Sequence, residues 1–209
     1  MSLLVDSITG AVVGADGGGN RPIRQGRQGS QVVSDGHGKY YEPASRAQLY
    51  VAQGTVTTPV SYTVIATIGG PLLWNGSTKF NAGIVAVGWT ITTADTTTTF
   101  ALGLTGSGGQ SSAPSATTAI DATGNCYLGG IPSNCTAYRT GTVVNAGRFL
   151  LPFAHVHTGA LSLDTSIAGY VEFSSMLVVP PQSWAAVAAS AQGTAVVMTI
   201  SLMWEEVPV

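Results

Sequence analysis

The sequence predicts an all-β protein, a jelly-roll-like antiparallel β-sandwich with an extended N-terminal arm. From about residue 47 onward, short β-rich runs are bounded by Gly, Pro, Asn and Ser, which is typical of antiparallel sandwiches. Before that point the chain is rich in glycine and in charge, and it has no sustained apolar periodicity. We therefore divide the chain into an arm, 1–46, and a β-sandwich domain, 47–209.

The arm contains half of the charged residues of the chain in less than a quarter of its length. Its segment GADGGGNRPIRQGRQGS has too little apolar surface to fold alone and too many glycines to propagate a helix. We expect the arm to become ordered on a partner surface or to stay mobile.

Cations and aromatic residues in the arm are interaction candidates. Arg21, Arg24 and Arg27 form a spaced basic stretch, but three cations add little affinity for a phosphate backbone. We therefore favour docking onto an acidic protein groove over contact with nucleic acid. Tyr40 and Tyr41 combine apolar area with a polar tip, a composition suited to anchoring the arm in an interface.

A charged cluster marks the junction between the arm and the β-domain. Its members are Asp35, His37, Lys39, Glu42 and Arg46. Pro43 disfavours helix at Glu42, and the first strand is expected to begin directly afterwards. We expect the cluster to pair internally or with a neighbouring subunit, so that it sets the direction in which the arm leaves the domain.

The β-domain is predicted to consist of nine strands and no long helix. The runs are 47–53, 60–68, 82–91, 97–104, 137–145, 148–153, 168–179, 184–190 and 195–207. In the last run, alternation places Val196, Met198, Ile200, Leu202 and Trp204 on one apolar face. A Gly/Ser/Thr/Pro-rich insertion at about 105–135 is predicted as a long loop, which in compact domains is usually functional or ordered by a partner.

The composition indicates a subunit that packs against other subunits. Charged residues make up only 9% of the chain, and the net charge is −2. Such weak surface charge favours association, so we expect a homo-oligomer. The absence of a basic face argues against a nucleic-acid partner. We expect neither export nor membrane insertion, because the N-terminus lacks a cationic segment and no apolar run is long enough to span a bilayer as a helix.

The candidate chemical groups are few, and the sequence predicts no catalytic residues, no metal site and no cofactor. His155 and His157 share one side of a strand and could chelate an ion, but a third ligand is missing. No histidine lies near a nucleophile elbow of the G-x-S-x-G type. Cys126 and Cys135 enclose a short loop, and they can either form a disulfide or remain free thiols.

Both ends of the sequence carry distinctive motifs. Their residues are Gly26, Arg27, Gly29, Asp35, His37, Lys39, Tyr40, Tyr41, Glu42, Arg46, and the closing Trp204, Glu205, Glu206, Val207 and Pro208. In these motifs the sequence resembles small structural proteins of tailed bacteriophages. The resemblance implies a virion component on the capsid surface, assembled in the host cytoplasm. It further implies a cement or decoration protein that is β-rich and trimeric and that binds the major capsid protein. No catalytic role comes with it.

Two other functions stay open at this point. One is a tail, spike or fibre component that recognises a host receptor or glycan through the 105–135 insertion. The other is a carbohydrate-acting enzyme or lectin on the same scaffold, since a fold alone does not decide function. Against the second, the four tryptophans lie in apolar, strand-like contexts typical of a core: Trp74, Trp89, Trp184 and Trp204.

Overall fold

The computed structural model describes residues 24–25, 31–32, 40–56, 65–94, 98–158, 167–189 and 196–209. The chain divides into two units, Met1–Glu42 and Pro43–Val209. In the first unit, Arg24–Gln25 (β1) and Gln31–Val32 (β2) pair as an antiparallel ribbon. The division lies close to the predicted end of the arm, while the arm itself stays a prediction.

A five-residue helix, Tyr41–Ser45 (α1), lies at this division. The prediction that Pro43 disfavours helix at Glu42 is therefore wrong. Proline is tolerated in the first turn of a helix, because the first backbone N–H groups have no acceptor within the helix. Among the described residues, no helix is long and apolar enough to cross a membrane.

Ten strands are described in the second unit. They are Leu49–Val56 (β3), Ile65–Asn75 (β4), Phe80–Ala94 (β5), Thr98–Ser107 (β6), Ser115–Ala119 (β7), Ala122–Asn125 (β8), Thr136–Thr158 (β9), Ile167–Val179 (β10), Ser183–Ala189 (β11) and Val196–Pro208 (β12). Sheet 1 has the order β10-β5-β12-β3-β8, and sheet 2 has the order β4-β11-β6-β9-β7. All strand pairs are antiparallel, and the two sheets pack as a sandwich, which confirms the predicted all-β antiparallel sandwich.

Strand β12 lies in the middle of sheet 1 and shows why the sheets pack. Its residues alternate between buried and half-buried from Val196 to Glu206. The apolar face predicted from the sequence, Val196 to Trp204, is fully or nearly fully buried. It packs in one core cluster with Phe100, Leu102 and Leu104 of β6. Burial of each large apolar side chain contributes about 1.5–3 kcal/mol, so this period-two pattern holds the two sheets together.

Sheet 2 closes on itself through strand β9. The sequence predicted two strands here, 137–145 and 148–153, whereas the structure has one strand that changes partner at the predicted break. Residues up to Gly147 pair with β4, and residues from Arg148 pair with β6. Because β9 pairs with both β4 and β6, it encloses a second core cluster on the outer side of β4 and β11. Its members are Ile68, Leu72, Trp74, Val143, Trp184, Ala186 and Ala188.

The segment predicted as one long loop, 105–135, contains two short strands. β7 adds to the edge of sheet 2 through β9, and β8 adds to the edge of sheet 1 through β3. Each insertion strand therefore covers backbone groups of a sheet edge that would otherwise be exposed. Thr-rich β7 and the Gly-containing β8 have weak patterns of their own, which is why the sequence did not show them as strands.

A glycine lies at the point where β9 changes its partner strand. A Cβ added at Gly147 would overlap Cη2 of the buried Trp184 ring. We predict that Gly147→Ala lowers the free energy of unfolding by about 1–3 kcal/mol, because the core must shift to accept the methyl group. Chemical denaturation followed by tryptophan fluorescence measures the change.

Gly124 in β8 is the matched control, since an added Cβ there meets no atom within 4 Å. We expect Gly124→Ala to change stability by less than about 0.5 kcal/mol. Equal effects of the two substitutions would show that the contact with Trp184 does not limit position 147.

Candidate functional site

One end of the sandwich gathers most of the buried polar side chains of the described residues. Ala82 of β5 is the register partner of both Val179 in β10 and Glu206 in β12, so these residues lie at one level across sheet 1. On sheet 2, Asn75 pairs with Ser183 near the same end. We call this the Glu206 end of the sandwich.

Glu206 is a buried carboxylate that holds a loop. Its side chain is only 2% exposed. It accepts hydrogen bonds from the Asn134 side chain at 2.7 Å and backbone N–H at 2.9 Å, from the Cys135 N–H at 3.2 Å, and from the Ser133 hydroxyl. Trp204 Nε1 donates at 3.5 Å from the core side. Hydrogen bonds to an ionised group are stronger than neutral ones, so this carboxylate fixes the start of β9 to the end of β12.

The electrostatics agree with a charged Glu206. Burial alone raises the pKa of the Glu206 carboxyl, but the hydrogen bonds from Ser133, Asn134 and Cys135 outweigh burial and hold the pKa below its ordinary value. Burial, and then the negative charge of Glu206, raise the pKa of the Tyr50 phenol and of the Cys135 thiol. The raised pKa favours the protonated form of the Cys135 thiol at neutral pH, and the thiolate is the reactive form of cysteine.

The loop that Glu206 holds, residues 126–135, is termed the anchored loop. Asn125 fixes its other end, because the Asn125 amide donates to Ala47 O at 2.8 Å and Ile131 O at 3.1 Å, and its carbonyl accepts from Tyr127 N at 2.8 Å. Gly129 has φ +86°, a conformation that favours glycine. The anchored loop is therefore held at both ends by side chains of the sandwich.

The anchored loop presents three large apolar side chains to solvent. Tyr127 is 53% exposed, Leu128 93% and Ile131 65%. None of the loop residues is charged. Exposed apolar residues that cluster on a rigid element are typical of protein interaction sites, since single exposed apolar residues are common but clusters are not.

A second surface feature at the Glu206 end is an apolar cleft of about 180 Å³. Its lining includes Ser107, Gly108, Leu177, Val178, Pro180 and Trp184. We call it the cleft. Its wall is fixed by Asn75, whose buried side-chain amide donates to Val179 O and Phe80 O, both at 2.8 Å.

A further buried amide supports the same end. Gln110 donates to Asn145 O at 3.1 Å and accepts from the backbone N–H groups of Val144 at 3.1 Å and Asn145 at 3.0 Å. Its own N–H donates to Gln182 O, next to the cleft. Buried amides whose bonds are satisfied specify one arrangement of the backbone, so the cleft and the anchored loop are both preorganised.

Only some of the interaction residues predicted from the sequence lie in the part of the chain that the structure describes. Arg21, Arg27, Asp35, His37 and Lys39 lie outside the described residues. Arg24 is in β1, Tyr40 precedes α1, Tyr41 and Glu42 are in α1, and Arg46 follows it. The predicted pairing of the junction charges therefore stays a prediction.

The remaining candidates are placed as follows. Cys126 and Cys135 are both free thiols, the second of them buried, so the structure has the thiol alternative rather than the disulfide. His155 lies in β9 opposite Ala101, and His157 opposite Thr99. Across the described residues, no three or more His, Cys, Asp or Glu side chains form a group that could hold a metal ion.

The tryptophans belong mostly to the core, as predicted. Trp74, Trp184 and Trp204 are buried. Trp89 is half-buried and packs against Phe153, with ring centroids 5.6 Å apart. None of the three buried rings offers the open face that stacking on a sugar requires.

Sequence reasoning did not identify Glu206 as a structural centre. Glu205 and Glu206 lie on opposite faces of β12, since Glu206 is buried and Glu205 half-buried. The signal was present, because the inward alternation from Val196 to Trp204 continues to Glu206. The groups that donate hydrogen bonds to Glu206 could not be identified from this alternation, because Ser133 and Asn134 are more than 70 positions away in sequence.

Comparison of the chain with protein-family models, with curated proteins and with solved structures finds no match.

The role of Glu206 can be tested by removing its charge. We predict that Glu206→Gln lowers the free energy of unfolding by about 1.5–3 kcal/mol at neutral pH, because an amide cannot accept all the bonds that the carboxylate accepts. Glu205→Gln on the other face of β12 is the control, expected within about 0.5 kcal/mol of the wild type. A larger effect at position 205 would contradict the assignment.

The stability difference between the wild type and Glu206→Gln is expected to depend on pH. The pKa of Glu206 is lower in the folded state than in the unfolded chain, so its contribution is complete above the ordinary glutamate pKa of 4.5 and is lost as the pH falls through the folded value. The stability difference between wild type and Glu206→Gln should shrink on acidification. Asp121 and Glu205 also titrate at acidic pH, but both proteins contain them, so their contributions cancel in the difference. A constant difference down to pH 3 would contradict the prediction.

Proposed function

We propose that this chain is a non-enzymatic virion structural protein, a cement or decoration protein that binds across the capsomers of a phage head. We further infer that its sandwich is a jelly roll. Support comes from the spatial order of the strands. Without the short β7 and β8, the eight remaining strands have the order β10-β5-β12-β3 in one sheet and β4-β11-β6-β9 in the other. This is the order of two Greek keys, found in viral capsid and lectin domains.

The observation that carries the proposal is the anchored loop. It combines a rigid base, no charge and three exposed apolar side chains, which suits a surface that becomes buried on a partner. The resemblance of both chain ends to phage structural proteins points to an assembled virion as the place where this surface is buried, on a neighbouring copy of the chain or on the major capsid protein. The buried Glu206 supports a non-enzymatic role, because its bonds are directed at the loop and not at solvent.

The mechanism of such a protein is mechanical. A protein that binds the assembled shell but not free capsid subunits shifts the equilibrium toward the shell by mass action. Subunits that associate into homotrimers would engage several capsomers together, which raises the effective concentration of each further contact. The glycine-rich arm would add an extended segment that orders on the shell.

A binding experiment with shells tests the proposal. We expect the full chain to co-sediment with empty shells of the phage that encodes it and to raise the temperature at which the shells disrupt. We predict that removal of residues 1–42, the first unit, weakens shell binding at least tenfold and leaves the β-sandwich folded by circular dichroism. Wild-type affinity of the truncated protein would overturn the role of the arm.

Imaging distinguishes decoration from the alternative. Cryo-electron microscopy of intact particles should place density of this protein on the capsid lattice. Density restricted to one vertex or to protrusions would instead indicate a tail, spike or fibre component. In that case the anchored loop would be tested for binding to host glycans.

A further inference from the structure

We propose that the chain self-associates head to tail, with Leu128 of the anchored loop of one copy inserted into the cleft of the next copy. The contact is heterologous, because the loop and the cleft are different surfaces of the same chain. This inference does not depend on the virion role, and it gives the expected homo-oligomer a defined interface.

The anchored loop has the properties of an inserting element. Leu128 is the most exposed of its apolar residues, at 93%, and Tyr127 and Ile131 flank it. The loop is held by Glu206 at one end and Asn125 at the other, so little conformational entropy is lost when it docks. A free monomer would leave this apolar tip in water.

The cleft has the size and chemistry to receive it. A cavity of about 150 Å³ accommodates a ligand the size of benzene, so about 180 Å³ accepts one branched aliphatic side chain. Leu177, Val178 and Pro180 provide apolar walls, and no charged residue lines the cleft. Because the anchored loop is also uncharged, docking buries no charge.

The base of the anchored loop and the wall of the cleft lie at one level along the strands. Val179 in the cleft wall and Glu206 at the loop base both pair with Ala82, so they are at the same level along the strands and about two strand spacings, roughly 10 Å, apart. Heterologous contacts close into rings when successive copies are related by a rotation without a shift along its axis, and otherwise form filaments.

Paired charge substitutions test the contact. Leu128→Asp removes the inserting side chain, and Val178→Asp places a charge in the cleft wall. We expect each variant to raise the dissociation constant of self-association about 30-fold or more, measured by sedimentation velocity with the full chain. Tyr170→Asp, an exposed apolar residue of β10 away from both surfaces, is the control and should assemble as the wild type. Circular dichroism verifies the fold, and Ser107→Glu replaces Val178→Asp if that variant misfolds.

Mixing the two variants provides the decisive result. Leu128→Asp retains an intact cleft and the cleft variant retains an intact loop, so an equimolar mixture at high concentration should form a 1:1 heterodimer that cannot grow further. A monomeric wild type, wild-type assembly of Leu128→Asp, or a mixture that forms no complex would each overturn the proposal. If Leu128→Asp assembles normally but loses binding to capsid shells, the loop contacts the shell and not a second copy.

Discussion

The buried carboxylate of Glu206 lies where the apolar core of the sandwich ends, and the organisation of this end of the molecule depends on it. Its strand, β12, occupies the middle of sheet 1 and directs Trp204 into the core one step before Glu206. A carboxylate at an inward position is tolerated only if hydrogen-bond donors surround it. The backbone and side chains of residues 133–135 are those donors, so the requirement to satisfy one charge determines the path of the insertion back into β9.

The insertion has a structural task as well as an exposed tip. Its strands extend one edge of each sheet, and the anchored loop follows β8 directly. Edge strands with unpaired backbone groups promote uncontrolled association. Because the edge strands β7 and β8 are short, they limit edge-to-edge association, and in the head-to-tail arrangement proposed above the small apolar tip of the insertion would provide a specific contact. The low charge of the chain fits this arrangement, since the surfaces proposed to meet are uncharged.

Closure of sheet 2 provides the rigidity on which the cleft depends. β9 changes partner from β4 to β6, and the resulting second cluster buries the outer faces of β4 and β11. Trp184 contributes to that cluster and also to the cleft, so packing and surface shape are coupled through one side chain. The same coupling explains why glycine is needed at position 147, directly over the Trp184 ring.

The sequence by itself determined the fold class, most strand positions and the inward face of β12, because period-two alternation is a local property that each strand carries in its own residues. It also separated the glycine-rich, charged N-terminal region from the β-domain through composition. The strands β7 and β8, the continuity of β9, the anchored loop and the cleft required the fold. Each arises from contacts between residues distant in sequence, such as Glu206 with Asn134 or Val179 with Asn75, and such pairings leave no periodic signal in either segment.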